Sequence, residues 1–366
     1  MKQTYFVTGY PGFLAGNLIQ QLIYDHYQDI EHIYLLVLPS QENQAKKKLS
    51  KLKEDVNYGR NMFTIITGDI TKPDLAIHPK NNQLLKDTVT HVFHLAAIYD
   101  LAVPQDIAWH VNVSGTNQVN NWVKTIDKLE RYIYFSTAYV SGMREGRIYE
   151  QELAVGQTFR NHYEHTKYEA ERLVAELNKS VPITIIRPGV VKGNSITGKT
   201  IKFDGLYFML NLLDRLRFLP IIPYFGEGSA EGNFVPSDYV LQATSYLAIA
   251  KVGEGKTYHL TDPSPYTMRE LQQILSEAYL GKSPKGSLPM AFAKRSLSNS
   301  AIRKWLHVEK EVLDYFTIHA SYDNSQVTAD LIGTGIVCPD LKDTVPSMIS
   351  FYRKYRHDKQ KHIMIS

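Results

Sequence analysis

A strand that runs into two closely spaced glycines and then into an amphipathic helix leaves a chain few folds to choose from. In TYFVTGYPGFLAGNLIQQLIY (Thr4 to Tyr24), Tyr5, Phe6 and Val7 suit a buried strand, Gly9 and Gly12 interrupt the run, and Leu14, Leu18, Leu22 and Ile23 resume it at helical spacing. Strand, tight turn and helix in this order put backbone N–H groups at the positive end of a helix, where a dinucleotide pyrophosphate can sit. A β-carbon at Gly9 or Gly12 would hold the phosphate off, and Ala15 with Gly16 behind it lets helix and strand pack closely. Pro11, Phe13 and Leu14 complete the expected cradle. A β-turn ahead of a surface helix produces similar letters, so the remaining chain has to decide.

The apolar run continues in the manner of a parallel sheet. Ile33 to Leu38 (IYLLVL) has no alternation and reads as a strand buried on both faces. Phe63 to Thr67, His91 to Ala97 and Arg131 to Phe135 supply three more strands, with helical stretches between them. This rhythm predicts an α/β fold with a doubly wound parallel sheet, whose ligands bind at the carboxyl ends of the strands. Asp69 and Ile70 after the third strand, and Ala96 and Ala97 after the fourth, are expected there against the cofactor, with capping of the next turn as the plain alternative for Asp69. The end of the second strand selects the cofactor: an acid would bind a ribose hydroxyl and an arginine a 2′-phosphate. Leu38, Pro39 and Ser40 are neither, while Lys46, Lys47 and Lys48 either form a solvated face or supply charge, and the reading leans to NADP over NAD.

With 366 residues, 43% of them hydrophobic, the chain can bury a large core and is expected to form one large domain with a smaller one appended. A net charge of +4 is slight for that length and calls for no nucleic acid, and the single Cys338 excludes an internal disulfide and a cysteine zinc cluster. A reducing cytosol fits. Gly9, Pro11 and Gly12 break the N-terminal apolar run too early for a signal peptide, and no stretch reaches the length of a membrane span.

Tyr163 and Lys167 (YEHTK) lie four apart in a helical run, so the phenol and the ammonium share a helix face. Lys167 is expected to lower the tyrosine's pKa towards neutrality, which suits a proton donor to a carbonyl, although such a pair is often just a surface pair. His162 and His165 beside Glu164 suggest half a zinc site, but metalloprotease spacing needs histidines four apart, and no metal is expected. His91 and His94 point to opposite faces of a strand and read as core or edge residues.

These residues together resemble the extended short-chain dehydrogenase/reductase family, most closely its fatty acyl-CoA reductase and thioester reductase branch. The matches are TGYPGFLA from Thr8, GDIT at Gly68, HLAA at His94, VNVSGT around Asn112, FSTAYVSG around Ser136, YEHTK, RPG at Arg187, NFVPSDYV from Asn233 and TYHLTDPSPYT from Thr257. The resemblance implies Thr137, Tyr163 and Lys167 as catalytic residues, Asn112 supporting the proton relay behind Lys167, and Pro188, Gly189, Val190 and Val191 beside the nicotinamide. It implies an acyl or carbonyl substrate, with CoA or an acyl carrier protein as possible partners. A nucleotide-sugar epimerase and a non-catalytic nucleotide sensor are the alternatives, and homo-oligomerisation stays open.

By the same resemblance, residues 1–190 with a return at 232–250 form the nucleotide-binding domain, and 191–231 with 251–350 form the substrate domain. Leu206 to Phe225 is unusually apolar and reads as a core helix, with an acyl pocket or membrane patch as the functional alternative. The basic end from Arg353 to His362 reads as a disordered, solvated tail.

Overall fold

Continuous apolar strands need cover on both faces, and a seven-stranded sheet with helices on each side supplies it. The computed structural model describes residues 2–55, 62–99, 103–309, 313 and 317–363. Its main sheet contains β1 (Gln3–Thr8), β2 (Ile30–Val37), β3 (Phe63–Thr67), β4 (His91–His94), β5 (Arg131–Phe135), β6 (Ile183–Pro188) and β7 (Lys256–Leu260), in the order β7-β6-β5-β4-β1-β2-β3. Every neighbouring pair is parallel. The doubly wound sheet expected from the sequence is therefore present, with its order reversing between β1 and β4. The pairing of Thr8 with His94 and of Leu260 with Pro188 brings the carboxyl ends of these strands to one edge.

Although the strands read as unbroken apolar runs, successive side chains still serve opposite cores. Val7 and Leu35 join Leu18, Leu22, Val240 and Leu247 on one face, which is covered by α1 (Phe13–His26) and by the helix Ser237–Ile249. Phe6 and Leu36 join Val119, Trp122, Ala170 and Val174 on the other, beneath the helix Gly115–Val123 and the helix His162–Ala175. Burial of β5 is complete along its length.

A separate apolar cluster gathers Leu210, Leu213, Leu271, Leu275, Met348 and Tyr352 from the helices Tyr207–Leu216, Met268–Leu280 and Leu341–Tyr355. The plain reading of the 206–225 stretch thus describes its helix, which is mostly buried, while Phe218 and Ile221 beyond its end are 69% and 56% exposed.

Two expectations are corrected. Lys256 to Leu260, expected in the substrate half, pairs with β6, so the main sheet reclaims it. Polar Lys256 and His259 hid it as a strand, and Tyr258 is nevertheless fully buried. The basic end is also not a loose tail. Arg353 donates to Tyr279 O at 2.7 Å, Arg356 to the Tyr279 hydroxyl at 2.9 Å and Lys361 to Thr200 O at 2.6 Å, while Phe203 N donates to Lys361 O at 2.7 Å. Cations there find carbonyl acceptors that no count of charges reveals.

Candidate active site

The site is built where α1 begins. Gly12 is its N-cap and provides no side-chain cap, so the first N–H groups of the helix, from Phe13, Leu14 and Ala15, have no intrahelical acceptor. Gly9 holds φ at +86°, and a β-carbon on it would lie 2.9 Å from Ala96 N; one on Gly12 would lie 2.5 Å from Gly9 O. These glycines are demanded by the protein's own backbone, in a tight turn closed by Gly12 N donating to Gly9 O at 2.7 Å, in addition to the room for a phosphate expected from the sequence.

Thr8 pins the neighbouring loop. Its hydroxyl accepts from Leu95 N at 3.2 Å and Ala96 N at 3.1 Å and therefore donates its own proton to His94 Nδ1, 2.8 Å away. That leaves Nε2–H of His94 to donate to Thr116 at 3.2 Å. Burial, aided by the charge of Lys167, pushes the His94 imidazole down to about 3, so it is a neutral core residue. Asp69 Oδ1 accepts from both Thr71 N and Thr71 Oγ1, at 2.9 and 2.8 Å, which is the turn-capping role. Ile70 is buried close to Gly115.

Leu38, the residue after β2, is 41% exposed and carries no charge. The lysine run divides: Lys46 pairs with Glu42 at 2.6 Å on the helix surface, whereas Lys48 donates to Pro11 O at 2.7 Å and sits against the glycine turn.

Thr137 follows β5, and the helix carrying Tyr163 and Lys167 starts at an Asn161 cap whose Oδ1 accepts from Glu164 N at 2.9 Å. The structure brings Thr137 and Tyr163 into hydrogen-bond contact, which favours the phenolate, but burial outweighs it and the phenol is pushed up to about 12. Lys167 does not lower it. Its ammonium donates instead to Tyr134 Oη at 3.0 Å and to Phe135 O at 2.6 Å, and burial pushes it down to about 7. The expected direction for Tyr163 is thus corrected, because desolvation of the ring exceeds any gain from the neighbouring charge.

Asn112 lies in a π-helical turn, Trp109–Ser114, which turns its amide inward. Its Oδ1 accepts from Ile98 N at 2.8 Å, and Nδ2 donates to Ile98 O and Thr166 Oγ1, both at 3.0 Å. The amide thus clamps the loop after β4 to the helix of Tyr163, without a bond to Lys167. Pro188 ends β6; a β-carbon on Gly189 would meet Asn233 Oδ1 at 2.6 Å. Val190 and Val191 pair with Phe234 and Val235.

Sequence reasoning passed over Glu171 and its buried pairing with Arg187, the contact of Lys48 with the glycine turn and the packing of Asn233 against Gly189. Glu171 follows Lys167 by four residues, the same spacing that drew attention to Tyr163, and that spacing was a readable signal. His165 stacks on Phe159 with ring centroids 5.0 Å apart. Among the described residues, no three His, Cys, Asp or Glu side chains gather as a metal would require, and no helix is long and apolar enough to cross a membrane.

Residues 7–244 match the male sterility protein family of NAD-binding domains. A putative fatty acyl-CoA reductase of Drosophila melanogaster is 26% identical over 328 residues, covering 77% of this chain and 63% of the insect protein. The alcohol-forming fatty acyl-CoA reductase of Simmondsia chinensis is 23% identical, covering 76% of this chain and 70% of its own. The terminal R domain of the myxalamid biosynthetic pathway shares the fold, with a TM-score of 0.80 at 24% identity over 98% of this chain and 92% of that domain. The glycine turn, the Tyr163–Lys167 helix and the family match agree: the chain belongs to the male sterility protein family of NAD-binding domains.

Proposed function

We propose that the chain is an NAD(P)-dependent reductase acting on the carbonyl carbon of an acyl thioester or the aldehyde derived from it. The observation that carries this reading is the meeting of Thr137, Tyr163 and Lys167 at the same sheet edge as the uncapped start of α1. The names of the similar reductases support the substrate class.

The residues present fit a nicotinamide dinucleotide. Backbone donors of Phe13 and Leu14, within the turn of Gly9, Pro11 and Gly12, would take the pyrophosphate. Asp69 and Ile70 would face the adenine, Ala96 and Ala97 would let the cofactor lie close to the backbone, and Pro188, Gly189, Val190 and Val191 would flank the nicotinamide. When bound, the reduced nicotinamide supplies the hydride. Tyr163, protonated at neutral pH, would donate its proton to the substrate oxygen as negative charge builds there, with Thr137 orienting that oxygen. Lys167, pushed down to about 7 by burial, would return a proton to the phenolate left behind. Asn112 would keep the helix of Tyr163 in register with the loop at Ile98.

We assign the cofactor preference to NADP, because the ammonium of Lys48 lies against the phosphate turn and Leu38 leaves space without negative charge. CoA or an acyl carrier protein would present the thioester. Residues 1–190 and 232–250, joined by the strand 256–260, are read as the nucleotide-binding unit, with the remainder before residue 350 forming most of the substrate side.

Cofactor absorbance followed on purified protein, against acyl-CoAs, aldehydes and nucleotide sugars, tests this. NADPH consumption with an acyl-CoA or aldehyde is expected. Tightly held NAD with turnover of a nucleotide sugar and no net redox change would overturn it.

A further inference from the structure

We propose, building on the reductase reading above, that Glu171 is a positioning residue of this site: its buried carboxylate sets its charge one helical turn from the ammonium of Lys167 and ties the ends of β5 and β6 to the helix of Tyr163. Glu171 is 0% exposed, and a carboxylate at that depth persists only when its lone pairs are filled. They are filled. Oε1 accepts from Arg187 Nη2 at 2.5 Å and Nε at 2.9 Å, and Oε2 accepts from Arg187 Nε at 3.2 Å and from the Ser136 hydroxyl. Ser136 immediately precedes Thr137, and Arg187 immediately precedes Pro188, so one carboxylate anchors the residues before both the substrate-facing and the nicotinamide-facing positions.

Arg187 is itself held. Its Nη1 donates to Glu150 O at 3.2 Å and to His259 Nε2 at 3.1 Å, while Nδ1 of His259 donates to Asp323 O at 2.7 Å. Glu171 therefore cannot swing towards Lys167 and acts on it through its field, one helical turn away. The groups facing Lys167 are Tyr134 on β5, His94 on β4, and Tyr163 and Glu171 on its own helix, with Arg187 behind Glu171. His94 and both tyrosines are neutral at pH 7. Glu171 is thus the anion in this group, and it opposes the loss of the Lys167 proton that burial favours.

The first readout needs no substrate. In full-chain protein carrying labelled lysine, with Lys167→Arg identifying the resonance, the Lys167 titration is followed by NMR. Glu171→Gln is expected to move it to lower pH by about one unit or more. Arg187→Met is expected to move it the opposite way, since the carboxylate loses its nearer countercharge. Where Glu171→Gln does not fold because Arg187 is stranded, Glu171→Gln/Arg187→Met removes both charges and is expected to titrate below Arg187→Met alone. In the activity assay, Glu171→Gln moves the alkaline limb of kcat to lower pH; a purely structural loss would lower kcat equally at all pH. A Lys167 resonance unmoved in the folded variants, or moved in one direction by both single changes, overturns the proposal. Shifts as expected in a protein that reduces no carbonyl would leave the coupling standing and overturn the reductase reading instead.

Discussion

Tyr163 is where the chemistry is most exposed to test. Replacing it with Phe keeps the ring and its packing, so cofactor binding is expected to survive while turnover falls by about 10²- to 10⁴-fold, the usual worth of a positioned acid. Near-normal turnover under conditions where chemistry limits the rate would remove Tyr163 from the mechanism. Lys48→Met tests cofactor choice: losing the ammonium beside Pro11 O is expected to weaken NADPH binding by about tenfold and NADH binding less, as measured by fluorescence titration. Equal losses for the two cofactors would mean that Lys48 serves only the turn. Gly12 carries a prediction that the structure alone supplies. A β-carbon there collides with Gly9 O, so Gly12→Ala should cost about 1 to 3 kcal/mol of stability as well as cofactor binding, read by denaturant unfolding.

Among the elements, the helix His162–Ala175 has to present Tyr163 and Lys167 a turn apart, and its start fixes their position. Asn161 caps that start and Glu164 returns the favour, accepting from Arg160 N at 3.1 Å. Asn161→Ala should cost about 1 kcal/mol by fraying the first turn, where Tyr163 lies. Turnover should fall together with protection of the first-turn amides from hydrogen exchange. Full protection with lost activity would separate the cap from the site. The short π-helical turn around Asn112 makes a related point: one extra residue in the turn directs an amide inward that a regular helix would leave differently placed.

For the whole molecule, buried histidines set the response to acid. His91, His94 and His259 are each pushed down to about 3, chiefly by burial, against an ordinary value of 6.5. Between those values the unfolded chain binds protons that the native state refuses, so their contribution is intact above 6.5 and is lost as pH falls. Glu150 works the other way, since its carboxyl is raised to about 7 and the native state holds a proton that the unfolded chain releases above 4.5. Asp204, raised to about 6 by burial, acts in the same sense as Glu150, so three groups against two leave a net loss of up to about 1.4 kcal/mol per pH unit at the steepest. Thermal midpoints are expected to drop between about pH 6 and about pH 5, and Glu150→Gln should steepen the fall if the protein folds. A flat profile would mean that these rings take up protons without unfolding.

What the sequence by itself determined is what neighbours in the chain can state. The strand-turn-helix at Gly9 and Gly12, the parallel sheet, and the shared face of Tyr163 and Lys167 all follow from short spacings and an apolar period. What required the tertiary structure is everything set by depth or by partners far along the chain. Lys167 reaches Phe135 O across 32 positions, Arg187 reaches His259 across 72, and the strand at Tyr258 becomes visible only when it pairs with β6. A second reason for Gly12 lay out of reach of its letters, because a backbone oxygen 2.5 Å from an absent β-carbon is a property of the folded turn. The direction of the Tyr163 pKa was misread for the same reason: the sequence places a charge beside the phenol, but only folding decides how much water is taken away from it.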